Sequence, residues 1–326
     1  MMRETPQLSG GGRHRAVLVQ KARESIAKGS VSFDVASRLF DKDTRERAWL
    51  LYAWARKCDD IADEQDHGHK LGEQANKQDK VQAIRVLTQR AMDGLPTADP
   101  AFDGFGVVAR ECGITMEMAN DVIAGFRLDA GDWRPKTEGD MMRYCYHVAG
   151  AVGVMMARVM GVSAGDSETL DRACDLGLAF QLANISRDVV EDDAVGRCYL
   201  PANWLVEKDF EPGQHAIPAN RFVLASLMPR MIALMEHHEA WARVGIKQLG
   251  FRQRWAVLSA ARIYGAIGRR VLDRGQLAWN SRTVIGPLEK AAHVTAAFGE
   301  ALANNPAIPE NPPRWTRTEL QPPKGW

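Results

Sequence analysis

The sequence predicts an all-α protein built as a single helical bundle. Three observations carry this prediction: helical apolar patterns recur along the 326 residues, no stretch shows the alternation of a strand, and two apolar helical segments each end in an Asp-x-x-x-Asp pair. The length suits one large domain or two ordinary ones. We predict a flexible N-terminus at 1–15, one domain over 16–303 that brings the two acidic motifs together across its core, and a polar, Pro-rich tail over 304–326.

The composition excludes several classes of protein. The chain is 45% hydrophobic and 25% charged with a net charge of +1, and no basic run is interleaved with aromatic residues, so nucleic acid is not an expected partner. The five cysteines are scattered singly, which is typical of reduced thiols in a cytosolic protein. We find no signal peptide and no apolar stretch long enough to span a membrane, and we expect a cytoplasmic protein.

The first part of the chain contains five helical patterns. The break at 30–34 offers Ser32 and Asp34 as helix caps. The polar segment 66–80 is predicted to be a loop or a loose helix start, and 94–100 is predicted to be a turn. The predicted helices cover 16–27, 43 to the first acidic pair, 81–92, 101–112 and 115–125.

The second part begins with a predicted loop at 129–139, and Asp140 is the predicted N-cap of the helix that follows. A turn is predicted at 196–201, and the tail is predicted to be extended because it is rich in proline and polar residues. The predicted helices cover 141–161, 168–193, 221–249 and 255–276.

The helix predicted over 141–161 has an unusual pattern. Tyr144, Val148, Val152, Met156 and Met160 recur every four residues, with glycines and alanines among them. Small residues allow helices to approach closely, and they also leave space in which the hydrocarbon part of a ligand can lie. From this segment alone we favour tight packing.

The helix predicted over 168–193 carries a polar face. Gln181, Asn184, Asp188 and Asp192 are spaced so that they lie on one side of the helix. The other sides are apolar, and a polar stripe on a buried helix costs stability unless a ligand binds there. Carboxylate oxygens one turn apart suit Mg²⁺, especially where substrate phosphates complete its coordination.

A second acidic pair, Asp59 and Asp63, ends an earlier apolar helix, and Arg56 lies on the same side of that helix. Each motif alone is also compatible with a solvated acidic face. Two such clusters facing each other would repel unless cations lay between them. With Mg²⁺ in place they would form a clamp for diphosphate, and the arginines would neutralise its remaining charge.

These segments resemble the squalene/phytoene synthase family. The resemblance covers about residues 30–282 and rests on 56–63, 144–150, 181–192 and 196–201. It implies an isoprenoid synthase-type bundle with a central cavity, in which the acidic motifs hold Mg²⁺ (or Mn²⁺) and two prenyl diphosphates.

The resemblance also implies roles for individual residues. It makes Asp59, Asp63, Asp188 and Asp192 the metal ligands. It makes Arg56, Asn184 and Arg187 diphosphate contacts, with Ser32 in the entry segment beside them. It assigns the cavity wall and the remaining substrate contacts to Phe33, Tyr52, Tyr144, Val148, Val152, Gln181, Tyr199, Tyr264 and Arg282.

The implied reaction is the condensation of two geranylgeranyl diphosphates, through a cyclopropyl intermediate, to phytoene. Aromatic faces such as Phe33, Tyr52 and Tyr144 would stabilise the carbocations, and either the departed diphosphate or a tyrosine hydroxyl would take the final proton. Two alternatives stay open: a squalene or dehydrosqualene synthase that uses farnesyl diphosphate, and a non-catalytic scaffold relative. The lipid substrates lead us to expect peripheral contact with the inner face of the membrane. The sequence predicts no oligomeric state.

Overall fold

The computed structural model describes residues 8–29, 36–63, 73–131, 133–210 and 213–321. Throughout these ranges all regular secondary structure is helical, which confirms the all-α prediction. The helices are α1 (Arg15–Gly29), α2 (Lys42–Asp63), α3 (Glu73–Met92), α4 (Pro100–Cys112), α5 (Met116–Ala130), α6 (Glu138–Cys145), α7 (Ala151–Val159), α8 (Ser167–Ala194), α9 (Ala202–Val206), α10 (Arg221–Ala225), α11 (Met228–Ile246), α12 (Phe251–Arg274), α13 (Pro287–Ala303) and α14 (Arg317–Leu320).

Contacts between residues divide the chain into two compact units. One contains 1–131 and 155–166, and the other contains 132–154 and 167–326. The assignment of a single domain to 16–303 stays a prediction. No helix in the described ranges combines the length and the apolar character needed to cross a membrane.

The first unit is built on α4, which packs against α1, α2 and α3. Trp54 of α2 stacks on Phe105 of α4 with ring centroids 4.2 Å apart, and both side chains are fully buried. A Cβ at Gly106 would lie 2.1 Å from the carbonyl oxygen of Ala91, so glycine is needed for α3 and α4 to approach this closely. This packing supports α2, which runs without a break to the first acidic pair.

The second unit is arranged around α8, which packs against α11, α12 and the segment that follows α6. Buried residues of α8 lie on several of its sides, as expected of a helix with neighbours around it. Two buried examples are Leu182 and Ile185, which lie beside the polar stripe. This central placement fixes the orientation of the second acidic motif.

A π-helical turn over Tyr146–Gly150 interrupts the helix that the sequence predicts for 141–161. The turn separates α6 from α7, so the segment is two α-helices joined by a wider turn. The N-cap prediction was wrong: Thr137 caps α6, and Asp140 is the third residue of the helix and completes a capping box with Thr137. Such turns are frequent at functional sites.

Glycines bring this interrupted helix into close contact with α8. A Cβ at Gly177 would lie 2.3 Å from the carbonyl oxygen of Ala149, and one at Gly153 would lie 2.4 Å from the carbonyl oxygen of Ala173. Both distances are too short for any side chain. The tight-packing interpretation of the small residues is therefore correct for this contact.

Other elements also differ from the predicted ones, and helix α13 was not predicted from the sequence. The helix predicted over 221–249 is two helices, α10 and α11, which are separated at Ser226–Leu227. Helix α3 begins at Glu73, inside the segment 66–80 that was predicted as a loop or helix start. The tail includes the short helix α14 and packs on the second unit: Trp315 donates to Glu138 at 3.1 Å, and Gln321 donates to the hydroxyl of Tyr146 at 3.1 Å.

Candidate functional site

The predicted polar stripe of α8 is its accessible side. Gln181, Asn184, Arg187, Asp188 and Asp192 are all half-buried, whereas Leu182, Ala183, Ile185 and Val189 between them are buried. The amide of Asn184 points toward that of Gln181, with Nδ2 and Oε1 3.5 Å apart. The stripe therefore places two amides, a guanidinium and two carboxylates along one solvent-reaching edge of a helix that is otherwise packed.

Asp188 lies between two arginines. The guanidinium of Arg187 donates to both carboxylate oxygens, with Nε 2.7 Å from Oδ1. Nη2 of Arg282 lies 3.1 and 3.2 Å from the two oxygens. The side chains of Arg187 and Asp188 are only 15% and 18% exposed, whereas that of Arg282 is 54% exposed. One arginine is thus fixed in the wall and the other reaches in from the surface.

The segment after α12 brings Arg282 to this motif. The indole of Trp279 donates to the carbonyl of Ser186 on α8 at 3.0 Å, and the Trp279 side chain is 7% exposed. This buried hydrogen bond fixes the segment beside Asp188. Sequence reasoning missed Trp279, because its partner is a backbone carbonyl 93 residues earlier in the chain.

Tyr264 of α12 faces the same side of α8. Its ring stacks on Phe180 with centroids 4.3 Å apart and planes 20° apart. Burial raises the pKa of Tyr264, and the positive charge of Arg187 opposes that shift. The phenol is therefore neutral throughout the physiological pH range, and it presents an uncharged ring beside the arginine.

Three aromatic rings form a column in the second unit. Tyr144 stacks on Tyr199 with centroids 4.5 Å apart, and Trp133 stacks on Tyr144 with centroids 5.7 Å apart. Tyr144 and Tyr199 are buried, and Trp133 is half-buried. Sequence reasoning selected the two tyrosines and missed Trp133, which lies in the predicted loop 129–139. Trp133 lies between Gly131 and Pro135, where the sequence shows no helical periodicity.

The apolar residues predicted to line a cavity are only partly covered. Val148 lies in the π-helical turn and Val152 one turn later in α7, and both are half-buried next to buried neighbours. Leu176 and Phe180 on α8 are also half-buried. These side chains give each helix an accessible apolar strip that adjoins its polar or aromatic residues.

The first acidic motif lies at the end of α2. The guanidinium of Arg56 lies 3.2 Å from the carboxylate of Asp59 and 2.8 Å from that of Asp60, and all three side chains are about half exposed. Tyr52, one turn earlier, is half-buried. Ser32, Phe33 and the side chain of Asp63 lie outside the described residues.

The described side chains fit a divalent cation whose coordination a substrate completes. Nowhere among them do three or more histidine, cysteine, aspartate or glutamate side chains converge on one point. Mg²⁺ is commonly held by one or two carboxylates plus substrate phosphates, so a full protein cage is not required. Asp188 and Asp192 offer two hard-oxygen donors one turn apart on the accessible side of α8.

Comparison with known proteins decides the family. The model of the squalene/phytoene synthase family matches residues 26–307. The chain belongs to the squalene/phytoene synthase family. Members of this family generally use divalent metal ions and act on prenyl diphosphates.

Relatives within the squalene/phytoene synthase family are similar over most of their length. A phytoene synthase from Pseudescherichia vulneris is 43% identical over 87% of this chain and 92% of the relative. A 15-cis-phytoene synthase from Pantoea ananas is 41% identical over 91% of this chain and 96% of the relative. These matches indicate a prenyltransferase of the phytoene synthase type.

Solved structures confirm the fold of the squalene/phytoene synthase family. A dehydrosqualene synthase in complex with a ligand matches with a TM-score of 0.77 at 23% identity, over 89% of this chain and 98% of that one. A squalene synthase from Alicyclobacillus acidocaldarius matches with a TM-score of 0.71 at 20% identity, over 82% and 98%. At these identities the likeness concerns the fold alone.

Proposed function

We infer that this chain condenses two molecules of geranylgeranyl diphosphate head to head, through a cyclopropyl diphosphate, to phytoene with release of diphosphate. The observation that carries the inference is the accessible carboxylate of Asp188 between Arg187 and Arg282. This arrangement suits a site at which the anionic leaving group pairs with the two arginines and its counter-cation pairs with the carboxylate. The phytoene synthases at 41% and 43% identity support this substrate over farnesyl diphosphate.

The metal ligands we propose are Asp59, Asp63, Asp188 and Asp192, with Mg²⁺ or Mn²⁺ as the cation. When bound, the cation supplies positive charge to the diphosphate and makes it a better leaving group. The two motifs belong to helices whose carboxylates are accessible at Asp59 and Asp188. The proposal that the two motifs act together is supported by their matched spacing.

Arginines bind and orient the diphosphates in this proposal. Arg187 and Arg282 bind phosphate oxygens near the second motif, and Arg56 does so near the first, because a guanidinium pairs with phosphate through two parallel hydrogen bonds. Asn184 contributes an amide donor on the same face of α8. Each of these groups stabilises the negative charge that develops as the bond to diphosphate breaks.

Aromatic and aliphatic side chains contact the isoprenoid parts. The rings of Tyr144, Tyr199 and Tyr264 stabilise carbocations without reacting with them, and Val148, Val152 and Gln181 line the space for the chains. Phe33 and Tyr52 belong to the cavity wall in this proposal, and Ser32 belongs to the entry segment. The raised pKa of Tyr264 favours the departed diphosphate as the acceptor of the final proton, because a neutral phenol is a poor base.

We also propose that the protein meets the inner face of the cytoplasmic membrane without spanning it. Geranylgeranyl diphosphate and phytoene both carry long hydrocarbon chains that partition into a bilayer. An enzyme that takes its substrate from the bilayer and returns its product there avoids their transfer through water.

The test is incubation of the purified protein with radiolabelled geranylgeranyl diphosphate and Mg²⁺, followed by solvent extraction and identification of the product. We expect a C40 hydrocarbon with the properties of phytoene. The same incubation with farnesyl diphosphate is expected to give a smaller yield of a C30 product. A dominant C30 product would replace phytoene synthesis with a squalene or dehydrosqualene activity, and absence of both products would favour a non-catalytic relative.

A further inference from the structure

Four large apolar side chains are exposed in one region of the second unit. Phe222 of α10 is 73% exposed, Leu277 and Val284 after α12 are 56% and 64% exposed, and Leu288 at the start of α13 is 90% exposed. We name these four residues the apolar face. Single exposed apolar residues are ordinary on a protein surface, but a contiguous group is typical of an interaction site.

Hydrogen bonds from two arginines of α12 hold the backbone at Leu277 and Val284 in place. Arg274 donates to the carbonyl of Leu277 at 3.1 Å. Arg270, one turn earlier, donates to the carbonyl of Val284 at 2.9 Å and also pairs with Glu289, next to Leu288. On the other flank, α10 packs against Gly275–Leu277. These contacts place the four residues of the apolar face in one region of the second unit.

The charges around the apolar face are mainly positive. Helix α10 and residues 270–289 contain four arginines and two acidic residues, in a chain whose total net charge is only +1. Arg221 and Arg274 hydrogen-bond neutral partners in this region. An apolar patch with a basic rim complements an anionic lipid surface, where the apolar groups enter the acyl boundary and the cations pair with headgroups.

The segment between α12 and α13, which carries Leu277 and Val284, also contacts the second acidic motif. Trp279 lies two residues after Leu277 and donates to the carbonyl of Ser186 on α8. Arg282 lies two residues before Val284 and pairs with Asp188. One short stretch of chain therefore presents apolar side chains to solvent and anchors directly to the helix that carries the candidate site.

We propose that the apolar face docks on the surface of an anionic lipid bilayer. Docking there places Arg282 and the Asp188 end of α8 near the headgroups. A prenyl diphosphate dissolved in a membrane keeps its tail among the acyl chains and its diphosphate at this same level. This proposal locates the membrane contact that belongs to the proposed function, and the identity of the lipid substrate rests on that function; the choice of the docking surface rests on the exposed residues and their charges.

Co-sedimentation with vesicles tests the proposal. The full chain is mixed with vesicles of phosphatidylcholine alone and with vesicles that also contain phosphatidylglycerol. We expect binding to the anionic vesicles that weakens as salt is added. The double variant Phe222→Ser, Leu288→Ser is expected to lose at least about tenfold in vesicle affinity, because two exposed side chains no longer enter the bilayer.

The matched control is the double variant Leu302→Ser, Ile308→Ser, at and beyond the other end of α13. Leu302 is 62% exposed and Ile308 is 70% exposed, and Leu302 lies about 21 Å along the helix from Leu288, so this variant also removes two exposed apolar side chains, but outside the apolar face. Vesicle affinity of this control is expected to equal that of the wild type. Circular dichroism of all three proteins is expected to be the same.

Three results would overturn the proposal: no binding of the wild type to anionic vesicles, equal binding by the double variant, or equal losses for the control. A wild-type dimer that the double variant converts to a monomer in gel filtration would assign the face to a second copy instead. Activity on detergent-dispersed geranylgeranyl diphosphate is measured in parallel. If that activity is absent while the vesicle result holds, the proposed function fails and the docking surface stands.

Discussion

Asp188 is the residue at which the described contacts of the candidate site converge. Arg187 reaches it from the same helix and Arg282 from a segment 94 residues later. Burial lowers the pKa of Arg187, but its hydrogen bonds to Asp188 and the negative charges of Asp188 and Glu191 together raise it more, so the guanidinium stays charged. The carboxylate is thus held in place by its own chain and remains accessible to a ligand.

Replacement of this carboxylate is expected to abolish catalysis without unfolding the protein. We expect Asp188→Ala to lower kcat by at least about 10²-fold, because charge stabilisation of the leaving group is lost. The matched control is Asp193→Ala, which removes a neighbouring carboxylate outside the stripe and is expected to keep near-normal turnover. Steady-state rates with geranylgeranyl diphosphate and far-UV circular dichroism are the measurements. Full activity of Asp188→Ala at ordinary Mg²⁺ would contradict the assignment.

Variants of Tyr264 distinguish two roles for a tyrosine at this site: cation stabilisation by the ring and proton transfer by the hydroxyl. Because burial raises the pKa of its phenol, we expect the ring to matter more than the hydroxyl. Tyr264→Phe is therefore expected to retain turnover within about tenfold, whereas Tyr264→Ala is expected to lose more, since the stack on Phe180 and the cation-stabilising face disappear. The measurement is kcat for each variant. A loss in Tyr264→Phe as large as that in Tyr264→Ala would assign the final proton transfer to the hydroxyl.

At this scale the sequence predicted the stripe on α8 but not its neighbours. The spacing of Gln181, Asn184, Asp188 and Asp192 is a local property of one helix, so a periodic pattern reveals it. Trp279 and Trp133 act through contacts with distant segments, and no local pattern records such contacts. Arg282 was identified only through the family resemblance, because its partner lies 94 residues away.

The elements around α8 depend on close packing at glycine. The π-helical turn over Tyr146–Gly150 lies where Gly177 allows α8 to approach the carbonyl of Ala149. Sequence periodicity predicted one helix over 141–161 because a single wider turn shifts the pattern only slightly. Whether such a turn forms is decided by the neighbouring helix, which is why the sequence alone did not predict it.

A methyl group at this contact is expected to destabilise the fold. Gly177→Ala would place Cβ 2.3 Å from the carbonyl oxygen of Ala149, and we expect it to lower the free energy of unfolding by roughly 2 kcal/mol or more. Gly299→Ala, in the exposed interior of α13 with no atom within 4 Å, is the control and is expected to raise it by about 0.5–1 kcal/mol. Chemical denaturation followed by circular dichroism measures both. Similar shifts for the two variants would contradict the close approach.

The half-buried strip on α7 leads to a prediction about chain length. Val152→Phe is expected to shift the preference from geranylgeranyl toward farnesyl diphosphate by on the order of tenfold, because one isoprene unit of packing is worth only a few kcal/mol. Metal dependence is expected to stay unchanged. The assay is competition between the two diphosphates. The control is Val86→Phe, at an exposed position of α3. If neither Val152→Phe nor Met156→Phe changes the product ratio, this helix does not line the cavity.

Across the whole molecule, each unit has its own stabilising contacts. In the first unit Glu111 joins three helices, because it pairs with Arg15 of α1 at 2.7 Å and Arg47 of α2 at 2.9 Å from its place at the end of α4. In the second unit the tail crosses α6 and the π-helical turn through Trp315 and Gln321. The sequence predicted the class of fold correctly. It predicted an extended tail because the residues that make the tail's contacts show no periodic pattern.

Glu111 gives the first unit a dependence of stability on pH. Burial raises the pKa of its carboxyl, but the hydrogen bonds from Arg15 and Arg47 and the positive charges of both arginines together lower it more, so the pKa lies below the ordinary value of 4.5. A depressed folded-state pKa contributes stability that is present above pH 4.5 and lost as the pH falls through the folded-state value. The contribution of such a partly exposed pair is about 1 kcal/mol at most.

We therefore expect Glu111→Gln to be less stable than the wild type at pH 7 and nearly equal to it at low pH. Denaturation at several pH values measures the difference in free energy of unfolding. Glu117→Gln, which removes an exposed glutamate of α5, is expected to match the wild type at pH 7. A difference between Glu111→Gln and the wild type that stays constant with pH would show that the ion pairs do not contribute.

The pairing of Asp188 with Arg187 and Arg282 has a consequence for the order of ligand binding. Before any ligand arrives, the carboxylate and the guanidinium groups satisfy one another. A cation that binds the carboxylate releases the arginines, and a diphosphate that binds the arginines releases the carboxylate. Each ligand thus frees the binding groups of the other, so their affinities are thermodynamically linked. Binding of either ligand must raise the affinity for the other by the same factor. In the proposed site, the carboxylate and the two arginines are fully released from one another only when both ligands are bound.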